Sequence, residues 1–269
     1  MRKTKYLDKD LYDNHGKLLL SAGHRLSDSM LRKLELLDYT EEEPIVPQNN
    51  SSKSAIKSST NKIKSVFKIK SVDLIDSASE IVTDIIFNSK NMPWWLYVNA
   101  LSNHVDWLYT HSINVSIISS MLAKVLNLTT ELKDIALGAF IHDIGNLMLP
   151  KSILQKKTEL TDEETSYMRQ HCDLGFSIVA GNNLSQTCLD IILQHHELLD
   201  GSGYPLGLRG EQIPQHSRIV MIANIVDAIT SYRPFTSARR IESAIKELKN
   251  DPGKYPQDII DLFSSLILK

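Results

Sequence analysis

From Val66 onward, apolar residues return every three or four positions, the spacing of one face of an α-helix. In 73–87, Leu74, Ile75, Ile81, Ile85 and Ile86 share a face. In 110–128 the same holds for Ile113, Ile117, Ile118, Met121, Leu122 and Val125. The runs 131–145, 161–180, 186–199, 216–232 and 237–248 continue the pattern. Thr161 with Asp162, Glu163 and Glu164 is a strong helix start, a capping hydroxyl followed by acids in the first turn. Regular strand alternation is missing after residue 66, so 66–269 is predicted to be an all-α bundle.

Residues 1–46 read differently. Asn14, His15 and Gly16 stand between Leu11-Tyr12 and Leu18-Leu19-Leu20, which predicts a β-hairpin. Ser27 before Asp28 caps a helix carrying Met30, Leu31, Leu34 and Leu37. This segment is expected to be a small α+β module. Between the two lies 47–65, PQNNSSKSAIKSSTNKIKS, whose Ser, Asn and Lys content predicts a flexible, solvated linker.

Composition narrows the function classes. Of 269 residues 42% are hydrophobic and 23% charged, enough for a core. Thirty basic against 32 acidic residues, a net charge of −2, gives no field to attract DNA. Two cysteines, Cys172 and Cys188, form no disulfide framework and no zinc spacing, as suits a reducing cytoplasm. The N-terminus has no signal-peptide pattern and no window predicts a membrane span.

Histidine carries the chemistry. Seven of nine lie in the helical region: His104, His111, His142, His171, His195, His196 and His216. His142 precedes Asp143 and then Ile144-Gly145, a helix end where glycine lets the backbone turn. His111 lies one turn into a helix, His171 follows on the Thr161 helix, and His195-His196 end another run. Imidazole with carboxylate suits iron, manganese or zinc rather than calcium. A pair of such metals can clamp both oxygens of a phosphoryl transfer. His15, His24, His104 and His216 are read as surface or capping residues. A serine-hydrolase elbow and phosphate-binding glycine loops are missing from the sequence.

The motifs HDIGN (142–146) followed by LMLP, and HHELLDGSGYPLGLRGEQIP (195–214), resemble the HD-GYP family. So do DWLYTHSINVS (106–116), LTDEETSYMRQHCDLG (160–175) and RIVMIANIVDAITSYRPF (218–235), in order and at fitting spacing. The resemblance implies an HD-type helical bundle and a metal-dependent phosphodiesterase. The implied reaction hydrolyses cyclic di-GMP to linear pGpG or GMP in bacterial second-messenger signalling. It implies metal ligands at His111, His142, Asp143, His171, His195 and His196, with Asn224 at the place of a further ligand aspartate. His142 and Asp143 would be the catalytic pair, with Asp143 bridging two divalent transition ions, iron or manganese. Arg233 would meet substrate phosphate, and Gly203 and Tyr204 belong to the signature loop beside it.

Departures from the family pattern all remove charge. Asn146 stands where a lysine usually faces the scissile phosphate. Trp107 stands where some members place a glutamate for a third metal, and Thr236 where some place a lysine. Asp227 lies one turn beyond Asn224, where the family also has an aspartate. The alternative reading is a non-catalytic HD-GYP module that binds a cyclic dinucleotide or a protein partner. The N-terminal module is the candidate surface for such a partner.

Overall fold

The structure is a computed structural model that describes residues 5–6, 11–13, 18–20, 25–26, 39–40, 50–232 and 238–267. The chain divides into two compact units, Met1–Ser52 and Lys53–Lys269. In the first, Leu11–Asp13 pairs antiparallel with Leu18–Leu20, the pairing a hairpin about Asn14-His15-Gly16 requires. Tyr39–Thr40 pairs with Leu11–Asp13, and Lys5–Tyr6 with Arg25–Leu26. The helix expected after Ser27 lies outside the described residues, as do His15 and His24.

The second unit is a helical bundle. Its described helices are α1 (Asn50–Phe67), α2 (Val72–Asn88), α3 (Trp95–His104), α4 (Asp106–Val125), α5 (Leu132–Ile141) and α6 (Lys151–Leu154). They continue with α7 (Asp162–Arg169), α8 (His171–Val179), α9 (Gln186–Gln194), α10 (Gln215–Thr230), α11 (Ile241–Lys249) and α12 (Gln257–Leu266).

The expected flexible linker is a correction. Most of 47–65 is α1, and it is packed rather than solvated. Ile56, Ile63 and Phe67 recur at spacings of seven and four, one stripe of a helix, and all three are buried. Phe67 meets Phe263 of α12 edge to face at 5.7 Å, and Thr60 hydrogen-bonds Ser79 of α2 at 2.9 Å. Each fully buried Ile or Phe contributes about 1.5–3 kcal/mol. That outweighs a Ser- and Asn-rich composition when the few apolar residues are correctly phased.

A second difference concerns 161–180, read as one helical run. The structure breaks it at Gln170, which ends α7 and begins α8. Helix α7 is held by the expected capping box of Thr161 and Glu164 and buries no residue. Helix α8 buries His171, Cys172, Gly175 and Val179. The break lets α7 stay in solvent while α8 turns inward, and it makes His171 a helix-start residue.

At the centre runs α4, buried without interruption from His111 to Ala123. A helix covered on every side needs small side chains to let its neighbours approach. Ser112, Ser116, Ser119 and Ser120 serve that purpose. Two satisfy themselves on carbonyls, Ser116 on Ala136 of α5 at 2.6 Å and Ser120 on Ser116 at 2.7 Å.

Candidate metal centre

Helix ends deliver the donors. His142 is the residue after α5, Asp143 opens the 3-10 turn Ile144–Met148, His171 starts α8, and His195 follows α9. Only His111 comes from mid-helix, on α4. Two donor groups result. The ligand atoms of Asp143, His171, His195 and His196 lie within 4.8 Å of one another, and so do those of His111, His142 and Asp143. Asp143 belongs to both.

The tautomers follow from what lies behind each ring. A carbonyl oxygen only accepts, so a ring nitrogen beside one must carry the proton. His142 Nδ1 donates to Ala139 O at 2.7 Å and His171 Nδ1 to Met168 O at 2.8 Å. His195 Nδ1 faces Ile191 O and Ile192 O at 3.1 and 3.0 Å. His111 Nδ1 donates to the Asp227 carboxylate at 2.6 Å. In all four rings Nε2 therefore points forward as a lone pair.

Those lone pairs converge on one carboxylate. Asp143 Oδ2 lies 3.4 Å from His142 Nε2 and 3.7 Å from His111 Nε2. Asp143 Oδ1 lies 3.4 Å from His171 Nε2 and 3.8 Å from His195 Nε2. Each oxygen thus serves one group. His171 Nε2 and His195 Nε2 stand 3.2 Å apart, two acceptors facing each other, and buried His142 Nε2 has no hydrogen-bond partner. Facing lone pairs in a buried site repel unless a cation lies between them. The donor set therefore fits divalent transition metals. Burial pushes His171, His195 and His196 below the ordinary histidine range, which keeps them neutral and able to ligate near pH 7.

Other expected site residues are placed around this centre. Tyr204 stacks on His196 with ring centroids 4.7 Å apart, and the Arg169 guanidinium lies 5.1 Å over the Tyr204 ring. Together with His195, Gly203 and Tyr255 they line a cavity of about 260 Å³. Asn146 is buried with its Oδ1 lacking a hydrogen-bond partner, and Asn224 is buried on α10 one turn before Asp227. The Trp107 ring centre is 6.2 Å from that of His111. Arg233 and Thr236 lie outside the described residues. His216, expected at the surface or as a helix cap, lies in the first turn of α10, mostly covered between Asp190 at 3.3 Å and Glu131 at 3.5 Å, and His104 meets Leu149 O at 3.2 Å.

Gly145 corrects the sequence reading of a turn glycine. Its φ is not positive, and the space beside it is already taken. A Cβ there would stand 1.9 Å from His171 O and 2.5 Å from Gly175 N. The glycine exists so that the His142-Asp143 strand of chain can touch α8.

Sequence reasoning noted Asp227 only as a family aspartate one turn beyond Asn224 and gave Glu197 no role, though both are buried carboxylates. Asp227 accepts from His111, from Asn114 Nδ2 at 2.8 Å and from Lys62 Nζ at 3.0 Å. Burial opposes its ionisation, but the His111 hydrogen bond and Lys62 hold its carboxyl well below the usual carboxylate range. Glu197 accepts from the backbone N–H of Leu206, Gly207 and Leu208 at 2.6, 3.1 and 2.9 Å, so it pins the signature loop from behind. Glu197→Gln would turn an amide NH2 toward one of these donors. The expected loss is about 1–3 kcal/mol, read as a lower urea midpoint at unchanged slope. An unchanged midpoint would remove Glu197 as the loop's anchor. The cue in the sequence was a charged residue directly after two site histidines.

The HD domain family matches residues 96–259, more than half of the chain, and the chain belongs to that family. Its HD-GYP signatures, HDIG at 142–145 and HHELLDGSGYP at 195–205, fall inside the matched span. The chain is 35% identical over 174 residues to a protein of Thermotoga maritima named cyclic di-GMP phosphodiesterase, covering 63% of this chain and 47% of that one. It is 37% identical over 143 residues to the cyclic di-GMP phosphodiesterase response regulator RpfG of Xanthomonas campestris pv. campestris, covering 52% and 38%. The matches thus span less than half the length of these relatives. The solved structure of Bd1817, an HDG"Y"P protein from Bdellovibrio bacteriovorus, shares the fold with a TM-score of 0.55 at 23% identity. That alignment covers 97% of this chain and 94% of that one.

Proposed function

We propose that the chain is a metal-dependent phosphodiesterase that hydrolyses cyclic di-GMP to linear pGpG or GMP. The carrying observation is the carboxylate of Asp143, which divides its two oxygens between two groups of imidazoles. His111, His142 and Asp143 would hold one metal, and Asp143, His171, His195 and His196 the other, with Asn224 as an added amide donor. Iron and manganese suit this nitrogen and oxygen set. When bound, such ions supply Lewis-acid charge toward a phosphoryl group and acidify water. The chain's own part is to keep the imidazoles neutral and correctly protonated and to shape the substrate cavity. Tyr255 offers a ring face for a base, while Tyr204, stacked on His196, carries the planar Arg169 cation that would meet a phosphate. Arg233 would add a second such cation.

The N-terminal unit is read as an α+β module carrying a surface for a protein partner. Cytoplasmic location belongs to the same reading, in keeping with two buried free thiols, Cys172 and Cys188. A specific observation favours a second reading. Asn146 and Asn224 are uncharged where the family pattern is charged, as in a module that binds the nucleotide without cleaving it.

The full chain, loaded anaerobically with iron or manganese, is expected to linearise cyclic di-GMP, and the His142→Ala chain is not. Asn146→Lys with Asn224→Asp is expected to raise turnover about tenfold or more, since one phosphate-facing cation is worth a few kcal/mol. Binding without turnover at full metal occupancy would favour the sensor. Absence of both binding and turnover would sink both readings.

A further inference from the structure

Helix α1 reaches toward the metal centre through Lys62. Lys62 Nζ lies 3.0 Å from Asp227 Oδ1 and also hydrogen-bonds Ser231 Oγ. That hydroxyl donates to the same Asp227 oxygen at 2.8 Å. The other oxygen, Oδ2, takes the Nδ1–H of His111 at 2.6 Å. The line Lys62–Asp227–His111 joins α1, α10 and α4, and it ends at His111 Nε2, 3.7 Å from Asp143 Oδ2.

We infer that Lys62 is a positioning residue for the metal centre, holding the Asp227 carboxylate in the plane that aims His111. The inference rests on the metal-centre reading above. Among the described residues, Lys62 is the only lysine or arginine within ion-pair distance of Asp227. The other donors to Oδ1, Asn114 Nδ2 and Ser231 Oγ at 2.8 Å each, are neutral, so Lys62 is the charged member of the set that orients the carboxylate. Packing of Ile56, Ile63 and Phe67 fixes where α1 lies, and so where the ammonium sits. The Lys62 side chain is 27% exposed and that of Asp227 1%, so water can replace the ammonium without opening the core. Loss of Lys62 should therefore act on the ligand's aim and leave the fold in place.

Groups that orient a metal-binding histidine commonly account for 10–100-fold in metal affinity. Lys62 stands one bond further out, so the low end applies. Manganese binding to the full chain, measured by competition with a chelating dye, is expected to weaken about tenfold in Lys62→Met. Lys62→Arg should stay within about twofold of the parent, because a guanidinium can keep the ion pair. Lys64→Met tests the helix itself, since Lys64 pairs with Asp76 instead. It should leave affinity unchanged.

Equal affinity in the parent and Lys62→Met overturns the inference, as does an equal loss in Lys64→Met. If Lys62→Met does not fold, Lys62→Gln carries the same comparison, with a loss expected between those of Arg and Met. A parent chain that takes up no divalent metal brings down the metal-centre reading and this inference with it. A parent that binds while Lys62→Met binds equally well brings down this inference alone.

Discussion

Replacing Asp143 with asparagine is expected to abolish metal binding at both donor groups while leaving the metal-free chain folded and no more stable than the parent. Asp143 is the one carboxylate shared by the two donor groups. All other donors there are imidazoles, which bring lone pairs and no charge. An amide keeps the shape of the side chain but gives up the negative charge and one acceptor oxygen. Changing a group that merely supports a ligand costs 10–100-fold in affinity, so losing the shared ligand should exceed about 100-fold at both sites. The metal-free protein moves the same way, by less. Burial opposes ionisation of this carboxyl, but His142, His171 and His111 hold it well below the usual carboxylate range, so the fold favours its charged form. Neutralising it removes that stabilisation, and the urea midpoint should fall or stay level. Metal content and urea unfolding of Asp143→Asn decide the matter. Retention of one full equivalent of metal would show that the two groups do not share this carboxylate.

The second large effect is expected at Gly145→Ala. One added methyl must displace the carbonyl of His171 from 1.9 Å and the amide of Gly175 from 2.5 Å, both backbone atoms that cannot rotate aside. Helix α8 has to shift as a body, and it carries His171 into the site. Overpacking of this kind typically costs 1–3 kcal/mol, and a clash with backbone on a buried helix belongs at about 3 kcal/mol or more. Urea unfolding reads the loss, and metal stoichiometry should fall with it. Gly253→Ala is the matched comparison, where the nearest atom to a Cβ is 3.8 Å away and the change should stay within about 0.5 kcal/mol. A Gly145→Ala chain with parental stability and metal content would show that the contact with α8 is not needed.

The helical region and the histidines of the centre could be read from the chain because both signals are local. Apolar spacing in α4 and α10 needs no knowledge of what covers them, and a histidine next to Asp143 or before a glycine-rich turn stands out by itself. What escaped depends on contacts across the sequence. Lys62 sits among serines and asparagines, and only the phase of Ile56, Ile63 and Phe67 reveals that the segment is packed. Asp227 repeats the spacing of any polar residue in a buried helix until His111 is placed opposite it. The break at Gln170 leaves the apolar period almost undisturbed, so periodicity runs through it. Gly145 looks like a turn glycine because crowding by a distant helix leaves no mark in the local sequence.

The backward hydrogen bonds of His111, His142, His171 and His195 have a further consequence. A free imidazole explores several χ1 and χ2 states, and a ligand that must be frozen on binding loses that entropy then. Here carbonyls at the helix ends and the Asp227 carboxylate have already restricted the rings once the chain is folded. An ion entering this centre would then meet a restricted receptor, and discrimination between ions would rest on size and preferred coordination geometry rather than on how far the protein can adapt.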